Sequence, residues 1–301
     1  MKPEPKPLAD ADLVSFTMSD GVKLVGEIYG EPGNPTILLA HGGGQTRYAW
    51  ASVAKRLGAA GWRALAVDLR GHGDSDWASD ANYSHERYGV DLVELAAAMG
   101  SRPVVVGASL GGNSAMLAAG SFGKDAFRAL VLVDVTPKLD KKGVDRIMAF
   151  MDRHIDSGFG SFEEAAEAIS GYLPGRTGRK SNVASLERYL RRREDGRYRW
   201  HWDPEFVRGD QGTRLSEDRV RIISKAVADT DIPILLIRGS NSELVGDEAV
   251  RNFRELAPHA EFEDVLGAGH MIVGDRNDLF ANTLDGFLHR LENGEAKVRV
   301  R

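Results

Sequence analysis

The sequence predicts an α/β fold, on three observations. Short apolar runs of strand length recur along the chain: Thr36 to Ala40, Ala64 to Val67, Ala129 to Val133, Ile234 to Ile237 and Phe262 to Leu266. Segments with helical periodicity lie between them, among them Tyr48 to Ala60, Ser84 to Met99 and Asp278 to Leu291. A further run, V-V-V-G-A-S-L-G-G from Val104 to Gly112, breaks into Gly107-x-Ser109-x-Gly111 and continues as the helix-competent stretch Asn113 to Ala119.

The elements follow in order. Leu13 to Met18 and Val22 to Tyr29 flank Ser19-Asp20-Gly21 and read as a hairpin around an Asp-Gly turn. Glu31-Pro32-Gly33-Asn34-Pro35 breaks the chain before the next strand. Gly61 is placed to cap the Tyr48 to Ala60 helix, and Gly100 stops the Ser84 to Met99 helix before Pro103 opens the Val104 strand. From Pro137 to Asp229 the pattern changes. Strands give way to charged helical segments, including Gly143 to Ile155, Ser161 to Tyr172 and Ala184 to Arg193. The expected organisation is a core of residues 1–136 and 230–301 with an insertion of residues 137–229. Phe150, Met151, Phe159, Phe162, Ile169, Tyr172 and Leu173 are available to bury its inner face.

A serine on a tight strand-to-helix turn has its hydroxyl lifted clear of the sheet, and flanking glycines remove the Cβ atoms that would clash there. Ser109 is therefore the candidate nucleophile. His41-Gly42-Gly43-Gly44 follows the Thr36 to Ala40 strand, and consecutive glycines leave backbone N–H groups free to face a developing oxyanion. The amides of Gly43 and Leu110 are the candidate donors, with Gly42 beside the substrate. His270, in Gly267-Ala-Gly269-His270-Met271, lies late in a glycine-flanked loop after a strand and is the candidate general base. The loop Asp68-Leu-Arg70-Gly71-His72-Gly73-Asp74-Ser75 carries catalytic residue types, yet its glycines point to a tight turn held by local ionic and hydrogen bonds.

These pieces, in this order, resemble the α/β-hydrolase superfamily from about Leu13 to about Leu291. The resemblance implies an eight-stranded, mostly parallel sheet flanked by helices and a triad in chain order Ser, acid, His. It also implies a helical lid inserted after the sixth strand. Many relatives carry the acid after the seventh strand, three residues beyond a glycine, where this chain has Ser242, with Glu243 one residue later. Some subfamilies place the acid at the end of the sixth strand, where Asp134 stands in V-L-V-D-V-T-P. That string, with R-G-x-x-S-x-L-V, is similar to the branch of (E)-2-(acetamidomethylene)succinate hydrolase and related carboxylesterases and lactonases. Asp134 is preferred, with Glu243 as the alternative. In this branch an arginine is expected to pair with a substrate carboxylate, and Arg47 is the candidate.

Composition narrows the function classes. The 301 residues are 42% hydrophobic, enough for one large core. A formal charge of −5 gives no electrostatic reason to expect nucleic acid or an anionic membrane as partner. With no cysteine, a disulfide framework, a thiol nucleophile and a Cys-ligated metal are all excluded. The polar, Pro-rich start has no apolar region typical of a signal peptide, and no stretch approaches the ~20 apolar residues of a spanning helix, so a cytoplasmic enzyme is expected. The basic run Arg188 to Arg193 reads as a solvated face pairing with Glu187, Glu194 and Asp195. Trp200 and Trp202 offer rigid contact area at the pocket mouth.

The expected activity is hydrolysis of a small ester, lactone, thioester or amide through an acyl-enzyme, without metal or organic cofactor, on a small-molecule substrate and with a homodimer as one assembly. C–C bond hydrolysis and perhydrolysis use the same residues and stay open. So does a non-catalytic receptor that keeps the pocket. Epoxide hydrolases and haloalkane dehalogenases of this fold need an aspartate where Ser109 stands. Gly107 to Gly112 does not have the spacing of a dinucleotide-binding loop.

Overall fold

A computed structural model of the chain describes residues 11–172, 186–209, 216–270, 272 and 277–299. The leading hairpin is β1 (Asp12–Thr17) paired antiparallel with β2 (Lys23–Tyr29). β3 (Thr36–Ala40), β4 (Arg63–Asp68), β5 (Val104–Ala108) and β6 (Ala129–Val133) follow. A separate small hairpin is formed by β7 (Leu190–Arg192) and β8 (Tyr198–Trp200), and β9 (Ile234–Gly239) and β10 (Glu261–Val265) return to the main sheet. The eight-stranded sheet has the order β1-β2-β4-β3-β5-β6-β9-β10. Its first two pairings are antiparallel and the rest are parallel, as the resemblance implies.

β3, β5 and β6 are near-continuous apolar runs because the sheet is covered on both faces there. Side chains alternate between two core layers. Leu38, Val105, Leu132 and Leu236 face α2 (His85–Ala98) and α3 (Leu110–Ser121). Ile37, Leu39, Val104 and Val106 face α1 (Ala51–Ala59) and the C-terminal helix, which brings Phe280, Leu284 and Phe287. α3 is buried from Leu110 to Gly120, and its all-round apolar character is that of a helix enclosed by neighbours. β3 connects through α1 outward to β4, whereas β5 connects through α3 the other way to β6. The carboxyl ends of the adjacent β3 and β5 therefore border the crevice where open α/β sheets bind ligands.

Between β6 and β9 run α4 (Lys141–Arg153), α5 (Phe162–Tyr172), the β7-β8 hairpin, α6 (Pro204–Arg208) and α7 (Glu217–Ala228). After β9 come α8 (Asp247–Leu256) and α9 (Asn277–Glu292). One expectation for the insertion needs correction. Arg188 to Arg193 does not continue a helix, because Leu190 and Trp200 are paired and buried while Gly196, at φ 80°, closes an Asp-Gly turn. At the other end of this stretch the chain returns to the sheet layers. α7 packs on α3 with Ile223, Ala226 and Val227 buried, as one of the helices covering the sheet. Residues 184 and 185 of the expected helix, and Leu173 among the expected packing residues, lie outside the described residues. Among the described residues, no helix is long and apolar enough to cross a membrane.

The α3–α7 contact depends on Gly120. A methyl group added there would lie 1.8 Å from the Ala226 carbonyl oxygen. Alanine gains about 1 kcal/mol in helix propensity over glycine, while overpacking costs about 1–3 kcal/mol or more when only backbone is available to yield. A 1.8 Å overlap with backbone puts the cost near the top of that range, so Gly120→Ala is expected to lower unfolding stability by about 1–2 kcal/mol net in urea titrations, and an unchanged or raised midpoint would contradict this packing.

Candidate active site

Ser109 stands between β5 and α3 with φ 44° and ψ −107°, a strained backbone for a residue with a side chain. The turn closes because its neighbours lack Cβ atoms. One on Gly111 would lie 2.5 Å from the Ala40 carbonyl oxygen, and one on Gly107 would meet the Gly112 amide at 2.6 Å. The turn is tied to both flanking strands, with the Ser109 N–H donating to Val133 O (3.4 Å) and the Gly111 N–H to His41 O (3.3 Å).

Asp134 extends β6 by one residue and is also left-handed, at φ 51°. Its carboxylate is fully buried. Oδ1 accepts from the Gly239 N–H at 3.0 Å, and Oδ2 accepts from the Ser242 hydroxyl at 2.6 Å and from His270 Nδ1 at 2.6 Å. His270 comes from the loop after β10 and is mostly buried. Residues from three strand ends thus meet at one carboxylate. Glu243 points elsewhere: it pairs with Arg146 of α4 at 3.3 Å. Ser242 occupies the loop position where many relatives carry the acid, and its hydroxyl contact joins residues 108 apart, which no local sequence pattern shows.

The glycine turn after β3 lies against Ser109, since a Cβ on Gly42 would be 3.4 Å from the serine Cβ. The Gly42 N–H donates to Gln45 Oε1 (2.9 Å) and the Gly44 N–H to His72 Nε2 (3.1 Å). Of the three glycine amides, only that of Gly43 has no hydrogen-bond acceptor among the described residues. The Leu110 amide belongs to the first turn of α3, where helix N–H groups lack intrahelical partners. Phe206 of α6 covers Gly43, and Trp202 and Met151 cover Gly44.

Arg47 is directed into the protein. Its guanidinium is fully buried and bound to Asp68, to Glu27 at 3.2 Å and to Asp74 at 2.9 Å, and it donates to the Tyr48 hydroxyl. Three carboxylates hold it inside, so its donors are engaged there and not with the substrate carboxylate that was expected. Asp68 is pushed upward by burial, an effect opposed by Arg47 beside it. Trp200 stacks on Trp202 at 4.7 Å and also meets Phe159 and Phe150, so Trp200 packs within the insertion, whereas Trp202 reaches the glycine turn. The arginines of the β7-β8 region are engaged as well: Arg191 with Asp74, Arg188 over the Tyr48 ring, Arg193 over the Trp77 ring and Arg199 with Asp195. Among the described residues, no three His, Cys, Asp or Glu side chains are gathered as a metal-ligand set.

Two of the other histidines, His41 and His85, are fully buried. Burial holds His41 at about 4, and burial together with Arg219 holds His85 at about 3. These folded-state values lie below the unfolded value, so the stability they contribute is complete above about pH 6.5 and is lost as pH falls toward 4 and 3. For His41 alone the loss is on the order of 3 kcal/mol. Urea titrations are expected to show a clear fall in midpoint between pH 7 and pH 4.5, and a flat profile would contradict neutral burial.

A model of the alpha/beta hydrolase family matches residues 37–283. Esterase Rv0045c of Mycobacterium tuberculosis is 30% identical over 269 residues, covering 84% of this chain and 83% of the relative. The 3-hydroxybutyrate-oligomer hydrolase of Cupriavidus necator is 31% identical over 256 residues, covering 80% of this chain and 85% of the relative. The crystal structure of E-2-(acetamidomethylene)succinate hydrolase superposes with a TM-score of 0.79 at 22% identity, over 92% of this chain and all of the other, a likeness of fold.

Proposed function

The chain belongs to the alpha/beta hydrolase family, and from that premise we propose that it is a serine hydrolase cleaving uncharged carboxylic esters of small molecules. Ser109 attacks the ester carbonyl as His270 takes its proton. Asp134 orients the imidazole and stabilises its charged form, and the Gly43 and Leu110 amides receive the oxyanion. His270 then returns the proton to the departing alcohol, and water activated by the same imidazole releases the acid.

The observation that carries this reading is the 2.6 Å contact between His270 Nδ1 and the fully buried Asp134 carboxylate. An Nδ1–H committed to a carboxylate leaves Nε2 as the basic nitrogen, the tautomer a general base needs. The substrate class rests on two supports. The relatives above are named an esterase and an oligomer hydrolase. The arginine expected to hold a substrate carboxylate is enclosed by acids, while Trp202, Met151 and Phe206 lie over the glycine turn. In this reading the insertion acts as an apolar lid.

Intact mass after treatment with a reactive fluorophosphonate is expected to show one adduct on the wild type and none on Ser109→Ala. A folded wild type that takes no adduct would instead favour a ligand receptor. On a p-nitrophenyl ester, Asp134→Asn is expected to lower kcat by roughly 10³–10⁴-fold, because the amide no longer holds the required tautomer. Glu243→Gln should stay within a few fold, and the reverse pattern would reassign the acid.

A further inference from the structure

Three histidines that the proposed chemistry does not use close around the glycine turn, each holding a different peptide group. His41 Nδ1 donates to Gly42 O at 2.8 Å and so grips the peptide whose other end is the Gly43 N–H. His72 Nε2 accepts the Gly44 N–H at 3.1 Å, gripping the next peptide. His201 Nε2 donates to Gly44 O at 3.2 Å, gripping the third. The rings are packed in series, His41 to His72 at 5.1 Å and His72 to His201 at 5.8 Å, and His72 also meets Phe206 edge-on at 4.4 Å.

The far nitrogens are also committed. His41 Nε2 accepts the Leu69 N–H at 3.0 Å, His72 Nδ1 donates to Arg70 O at 2.9 Å, and His201 Nδ1 accepts the Gly73 N–H at 2.7 Å. Each ring therefore has one donating and one accepting nitrogen, which is the neutral form in a single tautomer. His72 and His201 use opposite tautomers, so one holds the N–H and the other the C=O of the same residue, Gly44. His201 belongs to the insertion, and through it the lid contacts the turn that presents the Gly43 amide.

We propose that His72 and His201 are positioning residues for the oxyanion donor Gly43, and that the insertion, through His201, forms part of that donor's support. The inference rests on the serine-hydrolase reading above. It assigns these histidines an effect on transition-state binding and none on proton transfer. Neutrality is required for it, because a second proton on either ring would set N–H against an N–H it now accepts. Burial, then His72, Arg191 and His41 nearby, holds His201 well below the usual histidine range.

The test compares side chains that differ in reach but share an amide. His72→Gln can place its carbonyl oxygen near the present Nε2 and accept the Gly44 N–H, whereas His72→Asn is too short. Likewise His201→Gln can donate to Gly44 O, and His201→Asn cannot. With a p-nitrophenyl ester, each Asn variant is expected to lose roughly 10- to 100-fold in kcat with KM within about twofold, and each Gln variant to stay within about fivefold. A boronic acid, which binds the serine as a tetrahedral anion, should weaken against the Asn variants by the same factor as kcat. Equal losses in the Gln and Asn variants, a change in KM alone, or unchanged boronate affinity would overturn the assignment. If the His72 variants fail to fold, the His201 pair decides it from the insertion side. Turnover that survives Ser109→Ala would overturn the serine reading itself, whereas turnover abolished there but unaltered in all four histidine variants would overturn only this inference.

Discussion

The candidate site depends on a guanidinium that does not reach solvent. Arg47 leaves the glycine turn and enters the protein, where it meets Glu27 from β2, Asp68 at the end of β4 and Asp74 from the loop that follows. Withdrawing these charges from water costs several kcal/mol per ion, and the cost is offset only when nearly every donor and acceptor is satisfied. Here the Arg47 N–H and the Asp74 N–H also donate to Asp68. Losing one partner would leave an uncompensated charge in the interior, so the loop from Asp68 to Ser75 has little freedom to move. Asp74 in turn holds Arg191, tying β7 to the same cluster.

That rigidity is transmitted to the glycines. The 68–75 loop carries His72, and the 72–73 stretch meets His201, so the ionic cluster fixes the base from which the proposed oxyanion turn is held. A second cluster anchors the loop from its other side, where Arg70 is bidentate to Asp91 of α2 at 2.6 and 2.7 Å. Polar residues that look catalytic in sequence thus serve mainly as a frame. The proposed chemistry is left to Ser109, His270 and Asp134.

Much of this was legible in the sequence because strand and helix periodicity is local. The strand ending at Val133 and the turn at Ser109 needed only apolar runs and glycines to be placed. What was not legible depends on encounters between distant segments. Arg47 resembled a substrate anchor because nothing near it in sequence shows that Glu27, Asp68 and Asp74 converge on it; the one hint was a glutamate inside the apolar β2 run. The segment from Arg188 has good helix formers, and only the pairing of Leu190 with Trp200, closed by Asp195-Gly196, makes it a hairpin. The contact of Asp134 with His270 spans 136 residues, so no local pattern displays it.

The hydrogen bond from Ser242 to Asp134 has a wider meaning. β6 and β9 are neighbours in register, with Val133 opposite Ile237, so their tips reach the same small volume beneath His270. A single negative charge has two berths there, one on each strand tip, and whichever is vacant needs only a small hydroxyl to fill it. A charge-swapped pair at 134 and 242 is thus a conservative change in space, although the two residues are distant in sequence.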